Sequence, residues 1–583
     1  MKQHSSGVWR RPLSAAVAAV LTATLVAAGA TASHAQTFVE AVDVRVVNVD
    51  VFVTDKKGDP IEGLSRDDFV LYEDGVEVEI TNFYASVSGA TGDGGKTSPG
   101  TAPQGGEMPL LDAARPPLWT VLYLDNFSLD PSDRTRVLGD LERFATTHAR
   151  EDVRFLLATN DLGLKARTAF TRDPAVLVAA IEEAGGGSAV GAQDRVEYRT
   201  LLTSLRALME LYEGQPGCED PCPCAWEQMV EVWRSYASSG SARVGVSLNS
   251  LGELVSSLGG LAGRKAVFYV SSGLMQNPGL GVLKYLGDLC PHLEHNTTQH
   301  MWEFDETSQL EDLTARANAN RVTLYTLDGA GLRADASTTV DFDDMRFRPS
   351  SLTNRLRTAN LQGSLQFLAE QTGGRAIVNT NRPFDDLAEA AVDFDSFYSL
   401  GFTPSREADG RAHQLEVELR TKRKVDLRFR KVYRDKPLDE RLGDRLMATL
   451  RFGVDHNPLA VTAAAGTPVE AGDREYEVPV HIRLPADRLV TTGQEGAMSR
   501  VRVFLAAEDG RGRRTALKER TIELPGASPK GPAEHVMTVT MRLREGPHRI
   551  GIGVRDEVGV ELSLLRIAVD VDPAIAETAA AKS

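Results

Sequence analysis

Leu118-Trp119-Thr120-Val121-Leu122-Tyr123-Leu124-Asp125-Asn126-Phe127-Ser128-Leu129-Asp130 is an apolar run of strand length that gives way to a short acidic and hydroxyl-bearing stretch. Four more short apolar runs follow, at 153–158, 266–271, 322–327 and 376–378, separated by amphipathic segments of helix length. Runs spaced this way describe parallel strands buried on both faces and joined by crossover helices. The block 116–435 is therefore expected to be a central α/β, doubly wound domain that closes with a β-hairpin. In such a sheet an acidic residue at the carboxyl end of the first strand, Asp125, stands at the ligand-facing edge.

Working outward, Pro131-Ser132-Asp133 and Asp173-Pro174 read as helix starts, leading to helices over 131–148 and 174–184. Further helices are expected over 197–212, 226–237, 247–261, 307–320, 353–372 and 384–392. Trp226, Trp233 and Tyr236 share one helical face and read as core. Before the block, residues 42–53 mostly alternate apolar and polar, and Glu73-Asp74-Gly75 reads as a hairpin turn. A small β-sandwich-like module over 36–85 follows from this pattern. Residues 86–115, rich in Gly, Ser, Thr and Pro, read as a linker. After the block, six strand-like segments describe a C-terminal β-sandwich-like domain over 436–572, with an Ala-rich tail over 573–583.

The formal net charge of −16 over 583 residues disfavours nucleic acid or anionic lipid as a general partner. Residues 1–35 read as a signal peptide: Lys2, Arg10 and Arg11 precede an Ala/Val/Leu run, and Ser33-His34-Ala35 offers small residues at a cleavage point. The alternative is an uncleaved anchor, for which the run is short and Ala-rich. An exported chain is expected, in the periplasm, at the cell surface or outside the cell. Its four cysteines, Cys218, Cys222, Cys224 and Cys290, fit that compartment as disulfide candidates, with one bridge inside the cluster and one to Cys290, for which three pairings are possible. A zinc site with His292, His295 or His300 is the alternative, against which Cys-x3-Cys-x-Cys is not a usual zinc spacing. No Cys-x-x-Cys redox pair is present.

Five stretches together resemble a known family. They are the alternating run 42–51; Leu64-Ser65-Arg66-Asp67-Asp68-Phe69 through Asp74-Gly75; Gly263-Arg264-Lys265 through Ser271-Ser272-Gly273; Leu368 to Thr372 with Gly373-Gly374-Arg375-Ala376; and Tyr398-Ser399-Leu400-Gly401-Phe402-Thr403-Pro404. In this order, over about 42–433, they resemble the bacterial VWFA-related domain family of acidobacterial type, whose members are exported. The resemblance implies a von Willebrand factor A-like fold and a role in adhesion or protein binding through a metal held at the strand ends.

That metal site implies Asp-x-Ser-x-Ser after the first strand, a Thr from a second loop and an Asp from a third, oxygen ligands suited to a hard cation. Here Asp125 matches the first position, but Phe127 and Leu129 stand at the two Ser positions, and Ser128 is one place out of register. Ser188, after Gly187, is the candidate for the Thr loop. Ser272 falls where the Asp would be. Asp130 and Asp328 are the carboxylates available to compensate. The candidate metal ligands are thus Asp125 and Ser128, for magnesium or manganese, in a degenerate site.

No Gly-x-Ser-x-Gly elbow surrounds Ser271-Ser272-Gly273, and Gly185-Gly186-Gly187 lacks a phosphate-loop ending. The reading preferred from sequence is a non-enzymatic binding protein that meets a protein partner through an edge lined by Asp125, Ser128, Ser188 and Ser272. A structural envelope or secretion-associated scaffold with an inert edge is the alternative, and a hydrolase the third.

Overall fold

The computed structural model describes residues 46–86, 117–186, 192–333, 349–421, 424–472, 474–491, 498–525 and 532–572. The expected signal peptide and tail lie outside these residues, as does the expected linker apart from Ser86. The described residues all belong to one compact unit, Val42–Ser583.

Strands β1 (Val47–Thr54), β2 (Phe69–Glu73), β3 (Val76–Val78) and β4 (Asn82–Ser86) open the chain. The central block then runs β5 (Leu118–Leu124), α1 (Pro131–His148), β6 (Val153–Asn160), β7 (Leu164–Ala166), α2 (Pro174–Gly185), α3 (Ala192–Tyr212), α4 (Pro221–Leu258) and β8 (Arg264–Ser271). It continues through α5 (Leu280–Leu289), α6 (Glu294–Thr298), α7 (Thr307–Ala319), β9 (Val322–Asp328), α8 (Ser351–Thr372), β10 (Ala376–Ile377) and α9 (Pro383–Ala391). These strands form one sheet in the order β10-β9-β8-β5-β6-β7, parallel except for β7.

Every residue of β5 is buried, because helices cover both faces of the sheet. Leu141 and Phe144 of α1, Ile181 of α2 and Leu387 of α9 pack with Leu122, Phe155 and Phe268 on one face. Leu251 and Val255 of α4, Leu313 of α7 and Leu365 of α8 pack with Val121, Leu156 and Val267 on the other. The expected helix starts carry their caps: Asp130 accepts from Ser132 N at 3.2 Å and Asp173 from Ala175 N at 2.9 Å. This is the doubly wound α/β fold that the VWFA-related resemblance implies. After β5 the chain steps to β6 on one side, and β8 later joins on the other, so the sheet reverses between β5 and β8.

The expected break between helices 226–237 and 247–261 is absent, and α4 runs unbroken for 38 residues. Ser238-Ser239-Gly240 lies inside this helix, and the glycine serves packing: a Cβ at Gly240 would lie 3.0 Å from Pro278 Cβ and 3.1 Å from Met275 Cε. Trp233 and Tyr236 are buried on α4 against Tyr198, Leu205 and Tyr285, with Trp226 packed beside them. Cys218 is bonded to Cys224 and Cys222 to Cys290, tying the start of α4 to the end of α5. Asp220 and His292 lie beside Cys222, but its sulfur is in the disulfide and offers no thiolate to a metal.

Beyond the central sheet, β11 (Phe397–Phe402), β12 (Ala412–Leu419), β13 (Asp426–Phe429) and β14 (Val432–Arg434) do not form a hairpin appended to the α/β domain. β1 pairs with β11 and β13, β4 with β11, and β2 with β12. Val49, Val51 and Leu71 share a core with Leu400, Phe402, Val417 and Phe429. The structure thus replaces the separate 36–85 module and the terminal hairpin of 116–435 with one two-sheet unit drawn from both. The physical reason is burial: β11 has neighbours on both edges only when β1 and β4 flank it.

His413 on β12 is buried in this unit, with Nδ1 2.7 Å from Asp74 and Nε2 3.1 Å from Asp409. Burial lowers its pKa, but the two carboxylates outweigh that and raise it overall, while Arg406 opposes them. A histidine whose folded pKa is raised contributes stability in full below its unfolded value of about 6.5, and that contribution is lost as pH rises through the folded value. The urea midpoint of the wild type is therefore expected to exceed that of His413→Gln most at pH 5.5, with the gap shrinking by pH 9. A gap that is constant or grows with pH contradicts the charged pair.

The chain ends with α10 (Leu438–Phe452), β15 (Thr462–Ala465), β16 (Val469–Gly472), β17 (Glu475–Pro485), β18 (Met498–Asp509), β19 (Lys518–Pro525), β20 (Glu534–Arg544), β21 (Gly546–Asp556) and β22 (Leu562–Val571). One sheet centres on β17, paired with β15, β16 and β20; the other runs β19-β18-β21-β22. Val478, Val480 and Ile482 of the first share a core with Val503, Leu505 and Ile552 of the second. α10 was not expected. Its Leu446 and Leu450 pack on Phe504 and Leu564, while Ala448 and Phe452 join the central core. No helix among the described residues is long and apolar enough to cross a membrane.

Candidate functional site

The carboxyl ends of β5 and β8 flank the reversal point of the central sheet, where an open α/β sheet leaves a crevice. Asp125 follows β5 directly, and its N–H still donates to Val270 O at 2.9 Å. The chain then turns tightly, with Ser128 N and Leu129 N both donating to Asp125 O at 3.0 Å. This turn draws Asp125 under the edge, not onto it: the residue is fully buried.

Its carboxylate is bonded on both oxygens. Asn160 Nδ2 donates to Oδ1 at 2.8 Å and Tyr269 OH to Oδ2 at 2.8 Å. Burial raises the Asp125 pKa, with the hydrogen bonds from Tyr269 and Asn160 working against it. The same burial, with Asp125 adding to it, pushes the Tyr123 and Tyr269 hydroxyls well above their ordinary value. The environment suits a carboxyl held by neutral donors. It does not suit one bound to a divalent cation, because both carboxylate oxygens already accept hydrogen bonds from buried donors and neither is turned towards the edge.

The other expected ligand positions agree. Leu129 is fully buried in the core beneath α1, and a Cβ at Gly329 would lie 2.5 Å from its Cδ2. Phe127 sits half-buried on the rim. Ser128 Oγ is engaged with Ser271 Oγ at 2.8 Å and with Asp125 O at 3.1 Å. Asp130 caps α1. Asp328, 1% exposed, accepts from Ala330 N at 3.0 Å, Gln362 Nε2 at 2.9 Å and the Arg333 guanidinium. Among the described residues the side chains at this edge therefore do not fit a magnesium or manganese ion, and Asp125 lies beneath the edge and is not among the residues that line the cavity. Ser188 lies outside the described residues.

Ser128 and Ser272 do come together, on the wall of a cavity of about 130 Å³. Sequence reading missed its charged walls. Arg243 of α4 donates to Asp194 of α3 at 3.0 Å and also to Glu197, and Arg357 of α8 reaches the same Asp194 while lying 4.6 Å over the Tyr198 ring. Arg333 follows β9 and donates to Ser272 O at 2.6 Å. Arg333 stands six residues past the end of the expected strand 322–327, in a loop whose role the sequence does not show. Arg243, Arg357 and Asp194 gave no signal either, because helical charges read as a solvated face until the helices are placed.

No protein family and no curated protein matches the sequence. Among solved structures, the chain is similar to an aerotolerance-related membrane protein from Bacteroides fragilis (9% identity, 48% of this chain and 98% of that one, TM-score 0.22). It is likewise similar to the vWF domain of the type V pili tip protein Mfa5 from Porphyromonas gingivalis (10% identity, 49% of this chain and 98% of that one, TM-score 0.23). A third likeness is to a von Willebrand factor type A protein from Catenulispora acidiphila (8% identity, 79% of this chain and 66% of that one, TM-score 0.19).

Proposed function

We propose that this chain is an exported, non-enzymatic binding protein that mediates protein–protein interaction or adhesion at the cell envelope through the strand-end edge of its VWFA-like domain. The observation that carries the reading is the cavity at the reversal point between β5 and β8, walled by side chains from the loops after β5, β8 and β9 and from α3, α4 and α8. Ligand crevices of doubly wound sheets form at that place. In this reading the edge is a degenerate metal-ion-dependent adhesion site that works without magnesium or manganese, and the all-β units at either end of the α/β block are β-sandwich modules that carry it. Export is supported by the signal-like residues 1–35 and by two disulfides that use all four cysteines, which suits an oxidising compartment.

The test is cross-linked partner capture from the cell envelope with Phe127→Asp, on the cavity rim, and Val536→Asp, 60% exposed on the C-terminal unit. With melting temperatures unchanged, capture is expected to be lost in Phe127→Asp and kept in Val536→Asp. The reverse pattern supports the structural scaffold with an inert edge.

A further inference from the structure

We infer that Lys436, Asn320 and Asp444 form a self-modification site, at which the Lys436 amine is joined to the Asn320 side chain as an amide, with loss of ammonia.

The three side chains come from separate parts of the chain. Asn320 ends α7, Lys436 stands between β14 and α10, and Asp444 belongs to α10. Lys436 Nζ donates to Asn320 Oδ1 and to Asp444 Oδ2, both at 2.5 Å. The carbon to be attacked, Asn320 Cγ, lies one carbonyl bond beyond that oxygen and is thus about 3.7 Å from Nζ at most. Holding the two groups this close makes a slow bimolecular aminolysis intramolecular.

The surroundings are shaped for the contact. A Cβ at Gly259 would clash with the Asn320 carboxamide, and one at Gly260 with Asp444 O, so the two glycines after α4 admit both residues. Lys265, buried at the start of β8, donates from Nζ to Asn320 O at 3.1 Å and holds the asparagine from behind. Asn320 is 5% exposed, and the Lys436 and Asp444 side chains are 11% and 24% exposed. An ion pair alone accounts for the two charges, but not for a buried carboxamide presented to the same nitrogen.

Burial raises the Asp444 pKa and Glu440 adds to this, against the pull of Lys436 and Lys265, so the carboxylate is suited to take a proton. Asp444 takes one from the Lys436 ammonium, leaving a neutral amine and a neutral acid, the forms that burial favours. The Nζ lone pair then forms a bond to Cγ, and the carbonyl electron pair moves to Oδ1. Asp444 gives its proton to Nδ2 and accepts one from Nζ. As the carbonyl re-forms, the Cγ–Nδ2 bond breaks and ammonia leaves into the cavity of about 430 Å³ that the three residues line. Nothing is oxidised or reduced, and no co-reactant is needed. The bond joins residues 116 apart in the chain, so α10 can peel from the central domain only from beyond Lys436.

The experiment measures the mass of the intact mature protein, then digests it with trypsin after reduction and denaturation and sequences the peptides by mass spectrometry. The expected result is a mass one ammonia below that of the chain and a branched peptide joining residues 317–321 to 435–441. Lys436→Arg, which keeps the charge without the amine, should show full mass and two separate peptides. Asp444→Asn, which keeps the shape of the side chain, should do the same. Wild-type protein of full mass with the two peptides separate would overturn the inference, and this result needs no variant to fold. An equal mass loss in Lys436→Arg would also overturn it, because the ammonia would then come from another site. A branched peptide in Asp444→Asn would remove Asp444 from the reaction. None of these outcomes bears on partner capture with Phe127→Asp, so the binding reading stands or falls separately.

Discussion

Cys222→Ser/Cys290→Ser is expected to destabilise the protein by about 4 kcal/mol, and Cys218→Ser/Cys224→Ser by about 2 kcal/mol, on the chain-entropy scale for cross-links. The difference comes from loop length. The first bridge closes a separation of 68 residues and the second a separation of 6. Burial acts in the same direction: Cys290 is 0% and Cys222 4% exposed, inside the core formed by α3, α4 and α5, whereas Cys218 is outside that core. Paired serines avoid a stray thiol that could exchange with the remaining bridge. Urea unfolding followed by near-ultraviolet circular dichroism, which reports Trp226 and Trp233 of this lobe, should order the midpoints as wild type, the 218/224 variant, then the 222/290 variant. Equal losses would mean that neither loop length nor burial sets the effect. The lobe also supplies Asp194 and Arg243 to the cavity wall, so the 222/290 variant should bind partner less tightly than its 218/224 counterpart.

The parts of this fold that were legible in the sequence are those set by local chemistry. A strand buried on both faces is apolar almost throughout, so Leu118 to Leu124 announced itself, and Pro131-Ser132-Asp133 and Asp173-Pro174 marked two helix starts, the first of which is capped by Asp130. The illegible parts depend on residues distant in the chain. The run at 397–402 reads as a strand, but nothing local says that it pairs with residues 47–51 on one side and 82–86 on the other. Gly240 reads as a helix breaker until Pro278 and Met275 are seen to need the space. α10 is a different case: Leu438, Leu442, Leu446 and Leu450 recur at a helical interval, a local signal masked by the strand-rich chain on its C-terminal side. For the site, the loss of Ser at positions 127 and 129 told against a metal, but it did not point to Arg333, whose partner Asp328 becomes visible only once β9 ends beside β8.

Glu508→Gln is expected to cost roughly 3 kcal/mol, the low end of what breaking a buried ion pair costs. Glu508 on β18 is 2% exposed and accepts from Arg514 Nε at 3.0 Å and from Arg549, with Arg451 Nη2 3.6 Å away. Arg549 is 43% exposed, so solvent screens part of the loss, which keeps the figure at that end. The same arginines serve a second carboxylate: Glu253 of α4 accepts from Arg451 at 2.6 Å and Arg514 at 3.0 Å. Glu253 is 42% exposed, and Glu253→Gln should therefore cost well under 1 kcal/mol. The contrast makes the pair informative. Arg451 comes from α10, Glu253 from the central domain and Glu508 from the C-terminal unit, so removing the buried charge leaves guanidinium groups packed at the junction with too few acceptors. Limited proteolysis should then release the C-terminal unit from Glu508→Gln at a urea concentration that leaves Glu253→Gln and wild type intact. If the two variants instead unfold alike, the junction is held by the apolar contacts of α10 alone. A rigid junction also bears on the edge, because α4 carries Glu253 at one end and Arg243 on the cavity wall ten residues earlier. Loosening that helix from its C-terminal anchor should weaken partner capture in Glu508→Gln without any change to a residue of the cavity.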